Sequence, residues 1–386
     1  MQITSHKDLN SQLFIGMMSG TSMDGIDGVL CSIHPNGQAE VLVHTSATFS
    51  TGLKEILQEL QAPTDNELHK EAIAANQLAQ EYADIVHRIM DLASLTPKHI
   101  VAIGAHGQTI RHQPILTTGV GYSLQCLNGA LLAELTGIDV INDFRSRDIA
   151  AWGQGAPLVP AFHHSQFGNS AYSKAILNLG GIANLTLLNP NQPILGFDTG
   201  PGNLLLDAWI FKNKQLNYDQ QGHWGRSGHV DSELLHILLN EPYFSLPMPK
   251  STGRDLFNLN WLLNKISLCV SKPSAEDIQA TLVALTAKTV VSSLFTYLPD
   301  CRELIVCGGG TKNLFLLERI SHICKEHLAS FALLTSEELG LDSQTIEGMA
   351  FAWLAWCFYN NTPSNIPEVT GAKGPRVLGS LHRKSS

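Results

Sequence analysis

Asp198 stands in residues 196–203, GFDTGPGN, after a short apolar run and before a turn stiffened by Gly200, Pro201 and Gly202. A carboxylate held in such a turn can act as a general base if the water or hydroxyl it deprotonates comes within about 3 Å. An aspartate before glycines also serves as a helix cap or a turn tie, and both readings stand at this point. A second chemical stretch is residues 14–30, FIGMMSGTSMDGIDGVL. Its small and hydroxyl residues can aim backbone N–H groups and side-chain O–H groups at an anion, phosphate being the commonest. Its two carboxylates, Asp24 and Asp27, would repel a phosphate unless Mg²⁺ lay between them. The alternative is an ordinary polar hairpin turn.

Three further groups complete the set. Arg145 and Arg147 flank a turn and could clamp an anionic group, or form surface ion pairs. His106, in AHGQT, is a polar contact to a sugar or a structural turn histidine. Residues 250–258, KSTGRDLFN, form a loop over a cleft or a solvated helix cap.

These residues need particular elements to position them. Residues 14–30 read as two antiparallel strands joined by a tight turn, with a third strand over residues 40–49. Thr64 and Glu67 predict a capping box for a long helix. Leu78, Tyr82, Ile85, Ile89 and Leu92 mark its buried face at helical spacing. Residues 99–103 read as a strand that leaves His106 at its C-terminal end, where α/β sheets hold ligands. A helix follows over residues 124–135, stopped by Gly137, then a strand over residues 138–141.

The pattern then starts again. Residues 173–188, SKAILNLGGIANLTLL, repeat the opening hairpin with a Gly-Gly turn. A duplicated unit predicts two similar domains facing each other, with their turns at a cleft. A third glycine turn, in ELIVCGGGTKNL, joins a buried strand to a helix starting at Asn313. Such glycines let a flat ligand or a phosphate approach the backbone. A very apolar helix opens at Glu347. No GxxxxGK[ST] occurs, and no GxGxxG in a βαβ setting, which argues against P-loop and nicotinamide enzymes. Three glycine turns over two similar halves fit a different ATP site. There, two hairpins pinch the phosphates and a strand-to-helix turn takes the adenosine.

Composition sets the bounds. The chain has 386 residues, which at about 150 residues per domain suggests two domains. It is 44% hydrophobic and 15% charged, enough apolar material for a sizeable core. A net charge of −9 without a basic block argues against nucleic acid or an anionic membrane as partner. Seven scattered cysteines without a CxxC pair fit reduced thiols in the cytoplasm. The opening residues lack the apolar core of a secretory signal, and no run approaches the ~18 apolar residues of a membrane span.

The motifs MSGTSMDGID, AHGQT, NDFRSRD, GQGAPLVPAFH, NLGGIANLT, GFDTGPGN, KSTGRDLFN and VCGGGTKN together resemble the anhydro-N-acetylmuramic acid kinase family. That family belongs to the sugar kinase, heat-shock chaperone ATPase and actin superfamily, and the resemblance spans essentially the whole chain. The resemblance implies two ribonuclease-H-like α/β domains with an ATP cleft between them. We set the domains at residues 1–138 plus about 360–386, and 139–359. It implies cleavage of the sugar's 1,6-anhydro bridge with phosphorylation of O6, in peptidoglycan recycling and amino-sugar catabolism. Asp198 matches the family's catalytic aspartate. ATP is expected along Gly20, Thr21, Ser22, Met23, Asp24, Gly25, Ile26 and Asp27, at Gly181, and at Gly308, Gly309 and Asn313. Sugar is expected at His106, Arg145, Thr21 and Glu347, and Mg²⁺ at Asp24 or Asp27. A cytoplasmic homodimer is also implied. The chain departs from the family where Trp152 replaces a common glycine, and at Thr311 and Gly348. Two other functions remain open on the residues alone. One is an ATP-driven switch that binds a partner protein, and the other is a kinase for a different acetylated or carboxylated sugar.

Overall fold

The computed structural model describes residues 11–20, 23, 25–116, 118–168, 170–190 and 192–385. The chain divides into two compact units, Met1–Phe167 with Gln344–Ser386, and Gly168–Ser343. The first contains β1 (Gln12–Met18), β2 (Ile26–Ile33), β3 (Ala39–Ala47), β4 (Ile100–Ala105), β5 (Gln108–Ile115), β6 (Val120–Cys126) and β7 (Val140–Asn142). The second contains β8 (Lys174–Leu179), β9 (Ile182–Leu188), β10 (Leu195–Pro201), β11 (Glu303–Cys307) and β12 (Ala332–Thr335). The chain then returns to the first unit and ends its sheet with β13 (Ser380–His382).

Both units follow one plan. In the second, the sheet order is β10-β9-β8-β11-β12, with β8–β10 antiparallel and β11 and β12 parallel to β8. In the first, the order is β13-β7-β4-β1-β2-β3, again with an antiparallel three-strand meander joined to parallel strands. This is the ribonuclease-H-like arrangement, present twice as the repeated hairpin predicts. A separate two-stranded ribbon, β5 and β6, is added to the first unit.

The domain boundaries differ from those set on the sequence, 138/139 and 359/360. β7 extends the first sheet as the parallel neighbour of β4 and the antiparallel neighbour of β13. The helix Ile346–Tyr359 packs on β1, β2 and β4. Both therefore belong to the first unit. The helix is apolar all round and almost wholly buried, as such a composition requires. It reaches the sheet through glycines. A Cβ on Gly16 would lie 1.7 Å from the Gly348 carbonyl oxygen, and one on Gly104 would lie 2.0 Å from that of Phe351. Gly16 and Gly104 are register partners on adjacent strands, so the helix backbone crosses the sheet at a spot with no side chains.

Three local expectations are corrected. Thr64 and Glu67 form no capping box. Asn66 enters the helix Glu67–Ala93 in left-handed conformation, and the Glu67 carboxylate accepts from Arg111 instead. Leu92 is 61% exposed, because the buried stripe continues from Ile89 to Ala93. The expected helix over residues 124–135 begins only at Gly129. Leu124 to Cys126 end β6, and the Asn128 carboxamide caps the helix by accepting from the Leu131 N–H at 2.9 Å. The helix Ala275–Tyr297 is long and apolar enough to cross a membrane by length and composition, which the sequence reading did not anticipate. It packs at the core of the second unit, with 78% of its most apolar window buried.

Candidate active site

In the first unit, β4 ends at Ala105 and delivers His106 to the sheet's C-terminal edge. His106 is buried, and its Nε2 accepts hydrogen bonds from Arg145 Nε at 3.2 Å and Nη2 at 3.0 Å. Burial and the Arg145 charge push the imidazole down to about 3, so it is neutral with its proton on Nδ1. Nδ1 lies by the Gly107 and Ser19 backbone without a well-formed hydrogen bond. Arg145 also donates to the Gly155 carbonyl at 2.7 Å. Burial lowers it to about 10, with Glu347 and Asp148 opposing, so it stays a cation. The structure thus brings together His106, Arg145 and Glu347, three of the four expected sugar contacts. Thr21, the fourth, lies outside the described residues. Arg147 is exposed.

Two buried polar residues that sequence reasoning missed lie close in sequence to Arg145 and His106. Asp148, wholly buried, accepts from the Gly155 N–H, the Asn365 carboxamide and the Thr370 hydroxyl at 2.7–2.8 Å. It pins the loop that follows Arg145 to the segment after the apolar helix. Gln108 is 0% exposed, yet neither atom of its carboxamide has a partner. A buried polar group of this kind marks a place for water or ligand. Nothing in the residue types distinguishes either one from a surface polar residue. The phase of β5, with Gln108 and Ile110 buried on one face, was the available clue.

The opening loop joins β1 to β2. Thr21, Ser22 and Asp24 lie outside the described residues. Ser19 Oγ donates to the Gly107 carbonyl at 3.0 Å and pairs with the Tyr82 hydroxyl at 2.9 Å. Met23 is buried in the core of this unit, with its N–H on the Gly20 carbonyl. Its side chain therefore anchors the loop, leaving its backbone as the part that could meet a phosphate. Ile26 is likewise a core residue. A Cβ on Gly25 would strike the Ala47 carbonyl oxygen at 2.2 Å. Asp27, on β2, has a half-exposed carboxylate that accepts from His44 Nε2 at 3.1 Å.

In the second unit, Asp198 lies on β10 opposite Asn184, where the register shifts before Gly200. Such a bulge turns the strand and re-aims its side chains. Asp198 is therefore no helix cap. Asn203 stands at the start of the helix Leu204–Lys214, and its carboxamide donates to the Leu179 carbonyl at 3.0 Å instead of capping the helix. The Asp198 carboxylate accepts from the Thr252 N–H at 3.0 Å, its N–H donates to the Lys250 carbonyl at 3.2 Å, and its carbonyl accepts from the Tyr243 hydroxyl at 2.8 Å. The stretch KSTGRDLFN is thus the strap that positions the aspartate, and its last residue, Asn258, caps the next helix. Burial pushes the Asp198 carboxyl up to about 7, against the Thr252 amide and the Lys250 charge.

The glycine turns of this unit lie at its strand ends. Gly180 and Gly181 join β8 to β9, and Asn203 and Leu204 donate backbone N–H groups to their carbonyls. Gly308 has φ of +84°, and a Cβ there would meet Asn178 Oδ1 at 2.4 Å. Gly309 is exposed, and a Cβ there would meet nothing within 4 Å, so the backbone beside it is open to solvent. Asn313 caps the helix Leu314–His327 through its carboxamide oxygen. That oxygen is already in use, so only the rest of the side chain is available to a ligand.

The model for the anhydro-N-acetylmuramic acid kinase family matches residues 12–384. The chain belongs to the anhydro-N-acetylmuramic acid kinase family. Relatives with that name include one from Cupriavidus metallidurans, 47% identical over 97% of this chain and 98% of the relative. One from Bordetella petrii is 48% identical over 96% of each chain. One from Nitrosomonas europaea is 47% identical over 96% of this chain and 99% of its own. Trp152, expected on the resemblance to stand in place of a glycine, adopts a conformation that suits glycine. Its φ is +72°, a conformation that costs a non-glycine residue roughly 1 kcal/mol. Lys373 Nζ, 4.5 Å from the centre of the exposed ring, offsets part of that by a cation–π contact of about 0.5–1 kcal/mol.

Arg145→Met should lower kcat/KM for the sugar by about 10- to 100-fold, because it removes a buried cation from the expected sugar contacts and leaves His106 Nε2 buried without a donor. Steady-state kinetics with sugar and ATP varied separately would check this. An unchanged sugar KM and kcat would remove Arg145 from the site.

Proposed function

We propose that the protein is an ATP-dependent kinase that opens 1,6-anhydro-N-acetylmuramic acid and phosphorylates its O6, giving N-acetylmuramic acid 6-phosphate. The observation that carries this reading is Asp198, a strapped, partly buried carboxylate raised to about 7 in a chain of this family. A base is most effective when its pKa lies near the working pH. Water attacks C1 of the sugar and gives its proton to Asp198. The C1–O6 bond breaks, and its electrons pass to O6. O6 then attacks the γ-phosphorus, the bond to the β-phosphate oxygen breaks, and ADP leaves. Glycosidases ordinarily need a second carboxyl group as acid for the leaving oxygen. Here the phosphoryl group takes that place.

Phosphoryl transfer demands mainly positioning and charge stabilisation. We assign ATP to the backbone of residues 20–27 and to the turns at Gly181 and at Gly308 and Gly309, with Asn313 beside them. The open space at Gly309 fits a ligand lying against the chain. Asp27, with Asp24, would hold Mg²⁺. The half-exposed Asp27 carboxylate is the hard oxygen donor that this ion prefers. When bound, Mg²⁺ neutralises charge on the phosphates. His106, Arg145 and Glu347 hold the sugar, with neutral His106 orienting the Arg145 guanidinium through Nε2 and adding no second charge. We place the enzyme in the cytoplasm, with its ATP, as a homodimer.

The test is the reaction run in oxygen-18 water. Label should enter at C1 of the sugar and be absent from the phosphate, with one ATP consumed per sugar and negligible ATP hydrolysis without sugar. Label in released phosphate, or turnover independent of sugar, would support an ATP switch instead. Faster turnover of plain N-acetylglucosamine would move the substrate.

A further inference from the structure

Lys250 is 9% exposed and forms no ion pair among the described residues. Its ammonium is held instead by the Phe244 carbonyl at 3.2 Å and the Tyr243 carbonyl at 3.4 Å, and sits 4.9 Å from the centre of the Tyr243 ring. The cage is rigid. Phe257 stacks on Phe244 at 5.6 Å, meets Tyr243 edge-on and is itself met by Trp261. Burying a cation without a carboxylate against it is costly, and dipoles and a ring face recover only part of that cost. A purely structural position here would suit methionine at least as well.

The same residue touches Asp198 through the backbone, its carbonyl accepting the Asp198 N–H at 3.2 Å. The charged and titratable groups around Asp198 are few. On β9 the facing residue is the neutral Asn184. Tyr243 turns its hydroxyl to the Asp198 carbonyl, and burial keeps that phenol protonated. Arg254 and Asp255, further along the strap, are exposed. Among the described residues, Lys250 is the buried cation linked to Asp198 by geometry, through its own carbonyl and through Tyr243. The Tyr243 ring faces the ammonium, and its hydroxyl meets the Asp198 carbonyl. The Lys250 charge opposes the effect of burial on the carboxyl.

We propose that Lys250 is a positioning residue for Asp198, whose caged ammonium keeps that carboxylate ionised and so ready to accept a proton. This rests on Asp198 acting as the base. The charge acts at both ends of the cycle. Before reaction it favours the carboxylate over the carboxylic acid in a partly buried site. After Asp198 has taken the proton of water, the ammonium has no counter-charge, which favours loss of that proton to solvent and resets the base.

The test compares Lys250→Met and Lys250→Arg with wild type in the pH dependence of kcat/KM. Asp198 is also titrated directly by ¹³C-aspartate NMR, its signal identified by its loss in Asp198→Asn. We expect K250M to move the acid limb up by about one pH unit, with about tenfold lower kcat/KM below both midpoints and convergence at high pH. The NMR midpoint should move with it, and K250R should keep the wild-type midpoint. Lys250→Gln serves as the second neutral variant if K250M does not fold. An unmoved NMR midpoint in a folded neutral variant overturns the role of Lys250, whatever happens to the rate. A moved midpoint together with an active Asp198→Asn enzyme overturns the base assignment and leaves the Lys250–Asp198 coupling standing.

Discussion

Asp198→Asn should lower kcat by about 10²- to 10⁴-fold, the range in which a general base contributes. The exchange is nearly isosteric. The asparagine carbonyl can still accept from the Thr252 N–H, and the Tyr243 and Lys250 bonds to the residue 198 backbone do not involve the side chain. The fold and the affinity for ATP should therefore change little, and the loss should lie in the chemical step. Wild type carries a companion signature. The base works only when ionised, and its carboxyl is raised to about 7. Activity should thus rise with pH through about 7 and fall tenfold for each unit below it, and the residual activity of the asparagine variant should lack that limb. Product formation in a quenched single turnover, measured across pH, checks both statements. A variant with near-wild-type rate would show that another group takes the proton.

Gly16→Ala and Gly104→Ala should each destabilise the first unit by at least about 3 kcal/mol, a size reserved for core changes that cannot relax. The obstruction is backbone. The added methyl would sit 1.7 Å from the Gly348 oxygen in one case and 2.0 Å from the Phe351 oxygen in the other. Relief requires lifting the helix Ile346–Tyr359 off β1 and β4, which exposes the most apolar helix of this unit. Glu347 rides on that helix, so protein that remains folded should lose sugar affinity before ATP affinity. Gly52→Ala is the control. It lies in the helix Thr51–Glu59 with open space where the methyl would go, and should be neutral or slightly stabilising. Urea denaturation with a fluorescent readout distinguishes them. Equal midpoints for all three variants would contradict the packing described.

The duplication was legible because the hairpin pattern of alternating apolar runs around a glycine turn is local, and it returns in β8 and β9 as in β1 and β2. The position of His106 was legible for the same reason, as the residue after a short apolar strand. The domain boundaries were not. β7 is three residues long, and only its pairing with β4 and β13, far away in the chain, assigns it to the first unit. The ribbon β5–β6 was missed because a strand ending in Leu124 to Cys126 runs directly into a helix, and the apolar residues of both read as one period. In the site, Asp198 and the loop 250–258 were each visible, but not that the loop bonds to the aspartate, because the pairing joins residues 54 positions apart. A lysine buried in an aromatic cage has the same sequence signature as one in water. The left-handed backbone at Trp152 was not legible either, since a tryptophan carries no signal for positive φ.

The anchoring of Asp148 by Asn365 and Thr370 has a consequence for the order in which a ribosome makes this protein. The second unit is a continuous stretch and is complete once residue 343 has emerged. The first unit is not. Its central helix, its Glu347, the partners of Asp148 and the strand that closes its sheet are all translated last. Until then the loop after Arg145 lacks two of the three bonds to Asp148, on a sheet missing an edge and a face. A nascent chain therefore displays a finished Asp198 strap well before Glu347 exists, and a truncation after the second unit should leave that strap intact while Asp148 loses Asn365 and Thr370.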